Sequence, residues 1–166
     1  MAKAASRGGR AAGQGASEAS KPFAQWPEDV DFGPLAGLIG YALRRAQIAI
    51  YQDFFAAVGD LGFTPQLFGA LVLIAHNPAL NQSDLGRVMG VNRAAAMALV
   101  KRLEAMKLVE RQASEADKRA NAVGLTSLGR TRLAALVEKV QAHDRRIAKN
   151  LVGPELETLR RLLRKF

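Results

Sequence analysis

Cysteine is absent from the 166 residues, which removes disulfides, thiolate metal sites and a cysteine nucleophile together. Aromatic residues are scarce at 6%, so Ala and Leu must fill most of a core drawn from the 49% of residues that are hydrophobic. That palette suits helices better than sheets. No long hydrophobic run exists either. The longest uncharged stretch, Leu61 to Ser83, is interrupted by Pro65 and Pro78, and its apolar heart from Leu67 to Ala75 falls far short of the ~20 residues that span a bilayer. Lys3, Arg7 and Arg10 are not followed by the apolar segment of a signal peptide. No membrane association and a cytoplasmic location are therefore expected. His76 and His143 are the two histidines, expected to be capping or surface groups, and no metal site is expected. Gly33, Gly37 and Gly40 lack the preceding strand and the Lys-Ser/Thr pair of a phosphate loop. No nucleophile, base and acid fall into a set, so neither an enzyme nor a cofactor is expected.

Acidic residues are also short in number. Fifteen Asp and Glu face 24 Lys and Arg, leaving a net +9 that favours a polyanionic partner or an anionic surface. Residues 1–32 and 33–80 balance to zero, while 81–125 carry +3 and 126–166 carry +6. A chain of this length makes one compact unit, or one core with an appendage. Residues 1–27 are rich in Ala, Gly and Ser without apolar periodicity and are expected to form a disordered tail.

Spacing predicts a long helix from about Pro34 to Asp60. Ile39, Leu43, Ala46, Ile50, Phe54 and Ala57 mark one apolar face, with Tyr41, Arg44, Ile48, Tyr51 and Phe55 nearly opposite. A helix apolar on two sides is normally covered on both, here by the domain core and by a second subunit, a ligand, or both. Thr64-Pro65 opens a short buried helix that ends before Asn77-Pro78. Asn81 to Asp84 opens another, with Leu85 and Val88 inward, that stops at Gly90. Asn92 caps a third helix reaching about Met106, with Met97, Val100, Leu103 and Ala96 inward. This pair around a glycine turn has the helix-turn-helix pattern. Leu108 to Arg111 and Ala122 to Leu125 read as a β-hairpin around a polar loop. Thr126 caps a further long helix, and Gly153-Pro154 opens a last one. The basic residues of that last helix, Arg160, Arg161, Arg164 and Lys165, read as a solvated face.

The order of helices and hairpin is that of a winged helix. From Thr64 to about Arg130 the sequence resembles the MarR family of bacterial transcription regulators. The resemblance rests on Leu61-Gly62-Phe63-Thr64-Pro65, Leu85 to Gly90, Val100 to Glu104, Leu108 to Arg111, Asp117-Lys118-Arg119 and Leu125 to Arg130. It implies a mainly α fold: a winged helix-turn-helix with a small β-hairpin wing over residues 63–126, flanked by dimerisation helices at 28–62 and 127–166. It further implies a homodimer on double-stranded DNA with a near-palindromic operator, responsive to a small-molecule effector and acting as a repressor. A winged helix serving only as a protein-interaction module is the alternative.

By position, Asn92 and Arg93 are the candidates for reading base edges, while Lys101, Arg102 and Arg87 are suited to phosphates. Ala94, Ala95 and Ala96 stand where the family usually shows a hydroxyl, so DNA shape is expected to carry more of the discrimination. Arg119 occupies the family's wing arginine position for the minor groove, Lys118 keeps a charge beside it, and Asp117 is expected to orient an arginine at the wing base. Tyr41, Arg44, Arg45, Ile48, Tyr51 and Phe55 are the candidate effector lining, with an arginine for an acid, phosphate or thioester head group. The run Leu38 to Ala46 is similar to the first helix of MarR-type regulators of hydroxycinnamoyl-CoA thioesters, so an aromatic acid or aromatic acyl-CoA is the expected effector.

Overall fold

The computed structural model describes residues 27, 29–78, 80–113 and 121–166. The expected tail therefore lies, except for Pro27, outside the described residues. A 3-10 turn at Gly33–Gly37 precedes α1 (Ile39–Val58), and a second at Gly59–Leu61 follows it. Next come α2 (Pro65–His76), α3 (Gln82–Met89), α4 (Arg93–Ala105), the antiparallel strands β1 (Val109–Ala113) and β2 (Asn121–Leu125), α5 (Ser127–Ile147) and α6 (Gly153–Leu163).

The helix starts are set by local side-chain chemistry. Thr64 Oγ1 accepts from the Leu67 amide, Asn81 Oδ1 from Ser83 and Asp84, Asn92 Oδ1 from Ala95 and Thr126 Oγ1 from Gly129. Each cap satisfies an amide that the helix itself cannot, which is worth about 1 kcal/mol. Gly90 ends α3 at φ 65°, a conformation that glycine adopts without strain. The expected continuous helix from Pro34 is instead broken at Leu38, whose extended backbone separates the 3-10 turn from α1. Pro34, Gly37 and Gly40 supply too little helix propensity to carry one helix through.

Leu67, Leu71, Leu85, Leu103, Leu136, Val58, Val100 and Val123 are fully buried and bring α1, α2, α3, α4, α5 and the hairpin into one core. Burying each such side chain contributes about 1.5–3 kcal/mol. Val88 is not among them. It is 51% exposed, because the inward face of the eight-residue α3 is set by Leu85, Gly86 and Met89 and leaves Val88 to one side. The expected apolar face of α1 also meets this core only at its end. Phe54 and Val58 are buried, whereas Ile39 is 65% exposed and Leu43 and Ile50 stand out beside it. Leu159, Leu162 and Leu163 of α6 are exposed as well. Helices α1 and α6 thus both carry apolar surface that the described residues of one copy leave uncovered.

Candidate nucleic-acid interface

Helices α3 and α4 approach closely through Gly86. A methyl group there would lie 3.1 Å from the Val91 carbonyl oxygen and 3.4 Å from Ala96 Cβ, so glycine permits the tight turn. Ala96, Val100 and Leu103 then seat α4 in the core. The outward side of α4 carries Asn92, Arg93, Ala94, Ala98, Lys101 and Arg102, all exposed. Arg93 and Lys101 form no ion pair with another described residue. Arg102 donates to the Gly62 carbonyl oxygen at 3.3 Å, which ties it to the turn before α2. Arg87 stands out from α3 with a loose 3.4 Å contact to Asp84. Asn92 spends its oxygen on the cap and keeps its amide nitrogen for an outside acceptor. Of the three alanines, Ala94 is exposed, Ala95 is half-buried and Ala96 belongs to the core, so Ala94 alone is fully open toward a groove.

The hairpin is registered from Val109 opposite Leu125 to Ala113 opposite Asn121, and its base is buried through Val109, Ala122, Val123 and Leu125. Asp117, Lys118 and Arg119 lie outside the described residues. At the wing base two contacts hold the hairpin to its neighbours. Arg111 donates to Glu104 of α4 at 3.0 Å, and Arg130 of α5 donates to the Leu125 carbonyl oxygen at 2.9 Å. The Glu104–Arg111 pair had no signal in the sequence, since seven residues and a turn separate its members.

The α1 stripe divides into two groups. Near its start, the Arg45 guanidinium lies 5.3 Å from the Phe32 ring centroid and Phe32 meets Tyr41 at 6.0 Å. Near its end, Tyr51 and Phe55 pack edge to face at 6.4 Å, with Phe55 45% exposed. Ile48 is half-buried between the groups, and Arg44 is exposed, donating to Gln47. A separate cleft of about 410 Å³ opens between the end of α2, β2 and the start of α5, lined by Ile74, Pro78, Leu125, Arg130 and Leu133 among others. No residue of the α1 stripe lines it.

A polar cluster joins α1 to α5. His143 is 4% exposed, contrary to the expected surface position, and its Nδ1 donates to Asp53 Oδ1 at 2.7 Å. Arg146 Nη2 donates to the same oxygen at 2.7 Å and its Nε to Oδ2 at 3.3 Å. The Arg146 hydrogen bond holds the Asp53 carboxyl below its ordinary value, against the opposing effect of burial and with further help from His143. Asp53 raises Arg146 in turn. His76, by contrast, caps α2 as expected, its ring nitrogen 3.0 Å from the Val72 carbonyl oxygen. Among the described residues no group of three or more metal-ligating side chains forms. No single described helix is long and apolar enough to cross a membrane; α1 and α2 pass that test only as a pair bent by 70°.

A helix-turn-helix with an exposed basic second helix, followed by a two-stranded wing, defines a winged-helix DNA-binding protein. Residues 61–120 match the sequence profile of the MarR family. A protein assigned as transcriptional regulator of the hcr operon in Thauera aromatica is 36% identical over 135 residues, 81% of each chain. The chain belongs to the MarR family. Two solved structures of the transcriptional repressor CouR superpose well. CouR bound to a 23-mer DNA duplex gives a TM-score of 0.77 at 32% identity, covering 82% of this chain and 97% of that one. CouR bound to p-coumaroyl-CoA gives 0.73 at 31% identity, covering 81% and 95%.

Proposed function

We propose that the chain is a homodimeric, ligand-responsive repressor that binds a near-palindromic operator in duplex DNA. The observation that carries this reading is the outward face of α4, where Asn92, Arg93 and Lys101 project from a helix whose other side is locked into the core. Residues 28–62 and 127–166 supply the dimerisation elements around the winged helix at 63–126. The uncovered apolar surface on α1 and α6 supports that division. Two copies related by a two-fold axis present two such helices to half-sites about 34–36 Å apart. Arg87, Lys101 and Arg102 meet phosphates and fix the register, and Lys118 and Arg119 reach the adjoining minor groove from the wing. The chain acts by binding alone, without catalysis, in the cytoplasm.

The effector is an aromatic acyl-CoA thioester. From Tyr41 to Phe55 the stripe runs fourteen residues, about 21 Å along the helix. That length suits an elongated thioester better than a lone aromatic acid. The rings at its two ends offer apolar contact, and Arg44 and Arg45 offer charge for phosphate or thioester oxygens. An effector releases DNA only by favouring one separation of the two recognition helices over the other. The test is fluorescence anisotropy on duplexes tiled across the DNA flanking the chain's own gene, with and without p-coumaroyl-CoA. One fragment with an inverted repeat should bind and then be released. Equal binding of every fragment, or a bound fragment indifferent to the thioester, contradicts the proposal.

A further inference from the structure

Asp53 is the only acidic residue on α1, whose other charged residues are Arg44 and Arg45. Its carboxylate collects two α5 side chains three residues apart, His143 and Arg146, each at 2.7 Å. Such charge-assisted bonds are short and directional, so this carboxylate clamps two long helices at one crossing. The clamp also touches the path to the DNA-binding half. The His143 ring meets Phe54 edge to face at 5.5 Å, and Phe54 meets Phe68 of α2 at 6.3 Å. Phe54 also lies 6.1 Å from Phe55, at the end of the effector stripe. Rotation of α5 against α1 at this point must move the His143 ring, and with it the packing that seats α2 and the winged helix.

We propose that Asp53, acting through His143 and Arg146, is a positioning residue that fixes the angle between α1 and α5 and thereby the separation of the two recognition helices in the dimer. The proposal rests on the dimeric, DNA-binding reading above. Its site is distinct from the residues that touch DNA, and it needs no effector to be tested. Loss of the carboxylate leaves His143 buried without its acceptor and releases Arg146, so the helices find several crossings in place of one.

The absence of cysteine allows a single spin label through Ala105→Cys, on the exposed end of α4. Pulsed dipolar spectroscopy on the full-length dimer then reads the separation directly. The parent should give one narrow distance distribution. Asp53→Ala, and the milder Asp53→Asn if the first does not fold, should shift or broaden it and weaken operator binding roughly tenfold, within the usual range for coupling between sites. Arg146→Lys should restore most of the parent distribution where Arg146→Met does not. Val123→Ala, a core deletion in β2 off the Phe54–Phe68 path, should lower Tm with the distance unchanged. Folded Asp53→Ala dimers with the parent distribution and operator affinity overturn the proposal, as does a Val123→Ala distribution as broad as theirs. A parent protein with no dipolar signal overturns the dimeric reading and this proposal with it. A parent with a sharp distance but no operator refutes the DNA-binding reading, and the distance arm still decides the role of Asp53.

Discussion

Gly129 lies in the first turn of α5, pressed against the backbone of Leu108 in the turn between α4 and β1. A Cβ built there would overlap the Leu108 carbonyl oxygen and sit 2.9 Å from its carbon and 3.3 Å from its Cα. All three neighbours are backbone, so no side-chain rotation can relieve the overlap. The Leu108 carbonyl also accepts from the Thr126 amide at 3.0 Å, and the Thr126 hydroxyl donates to the Lys107 carbonyl oxygen at 2.7 Å. Gly129→Ala therefore combines overpacking of about 1–3 kcal/mol with the loss of one or two hydrogen bonds of about 1 kcal/mol each. Together these come to roughly 3 kcal/mol or more, a large part of the stability of an ordinary domain. At about 2–4 °C per kcal/mol for a chain of this size, Tm should fall by roughly 6–12 °C at fixed protomer concentration, read by calorimetry. Gly90→Ala is the internal comparison. Nothing lies within 4 Å of its added methyl, and only the left-handed backbone at φ 65° opposes it, at about 1–2 kcal/mol. A Gly129→Ala protein whose Tm lies within a degree or two of the parent would refute the close seating of α5 on Leu108.

Further outcomes follow from the same geometry. Arg93→Ala should weaken operator binding by about 1–3 kcal/mol and relax sequence preference, as measured by anisotropy on mismatched operators. Lys101→Ala should weaken all sequences alike and reduce the log-log salt slope by about 1. Arg44→Ala should raise the p-coumaroyl-CoA concentration needed for DNA release while leaving operator affinity in its absence unchanged, seen in the same titration. Because the Asp53 carboxyl titrates below its ordinary value in the folded chain, its stabilisation is fully present above the unfolded pKa of about 3.9 and is lost as pH falls through the folded one. The Tm gap between parent and Asp53→Asn should thus be wide near neutrality and close below about pH 4, followed by thermal scans across pH.

The features legible in the sequence are those held within a few residues. Thr64, Asn81, Asn92 and Thr126 each reach an amide two or three positions ahead, so their caps could be placed from side-chain chemistry alone. The hairpin could be placed from two short apolar runs around a polar loop, with its strands a residue or two different in extent. The exposed basic face of α4 followed from the periodicity of Ala96, Val100 and Leu103. What escaped depends on contacts between distant segments. Asp53 and His143 are 90 residues apart, and no local pattern turns a histidine in a long helix into a buried one. The failure at Val88 has a related cause, since an eight-residue helix carries too few apolar positions to fix its own inward side. At Leu38 the chain departs from a helix that apolar spacing alone would have continued, because glycine and proline around it weigh against that spacing.

The central claim is that two copies of this chain place paired recognition helices on one symmetric duplex. Sedimentation velocity of the full-length protein with a labelled inverted repeat, over a series of salt concentrations, measures it most directly. The expected result is one dimer per duplex, with affinity falling steeply as salt rises and collapsing when the two half-sites are moved half a helical turn apart. One protomer per duplex, an affinity indifferent to salt, or equal binding at every half-site spacing would contradict it.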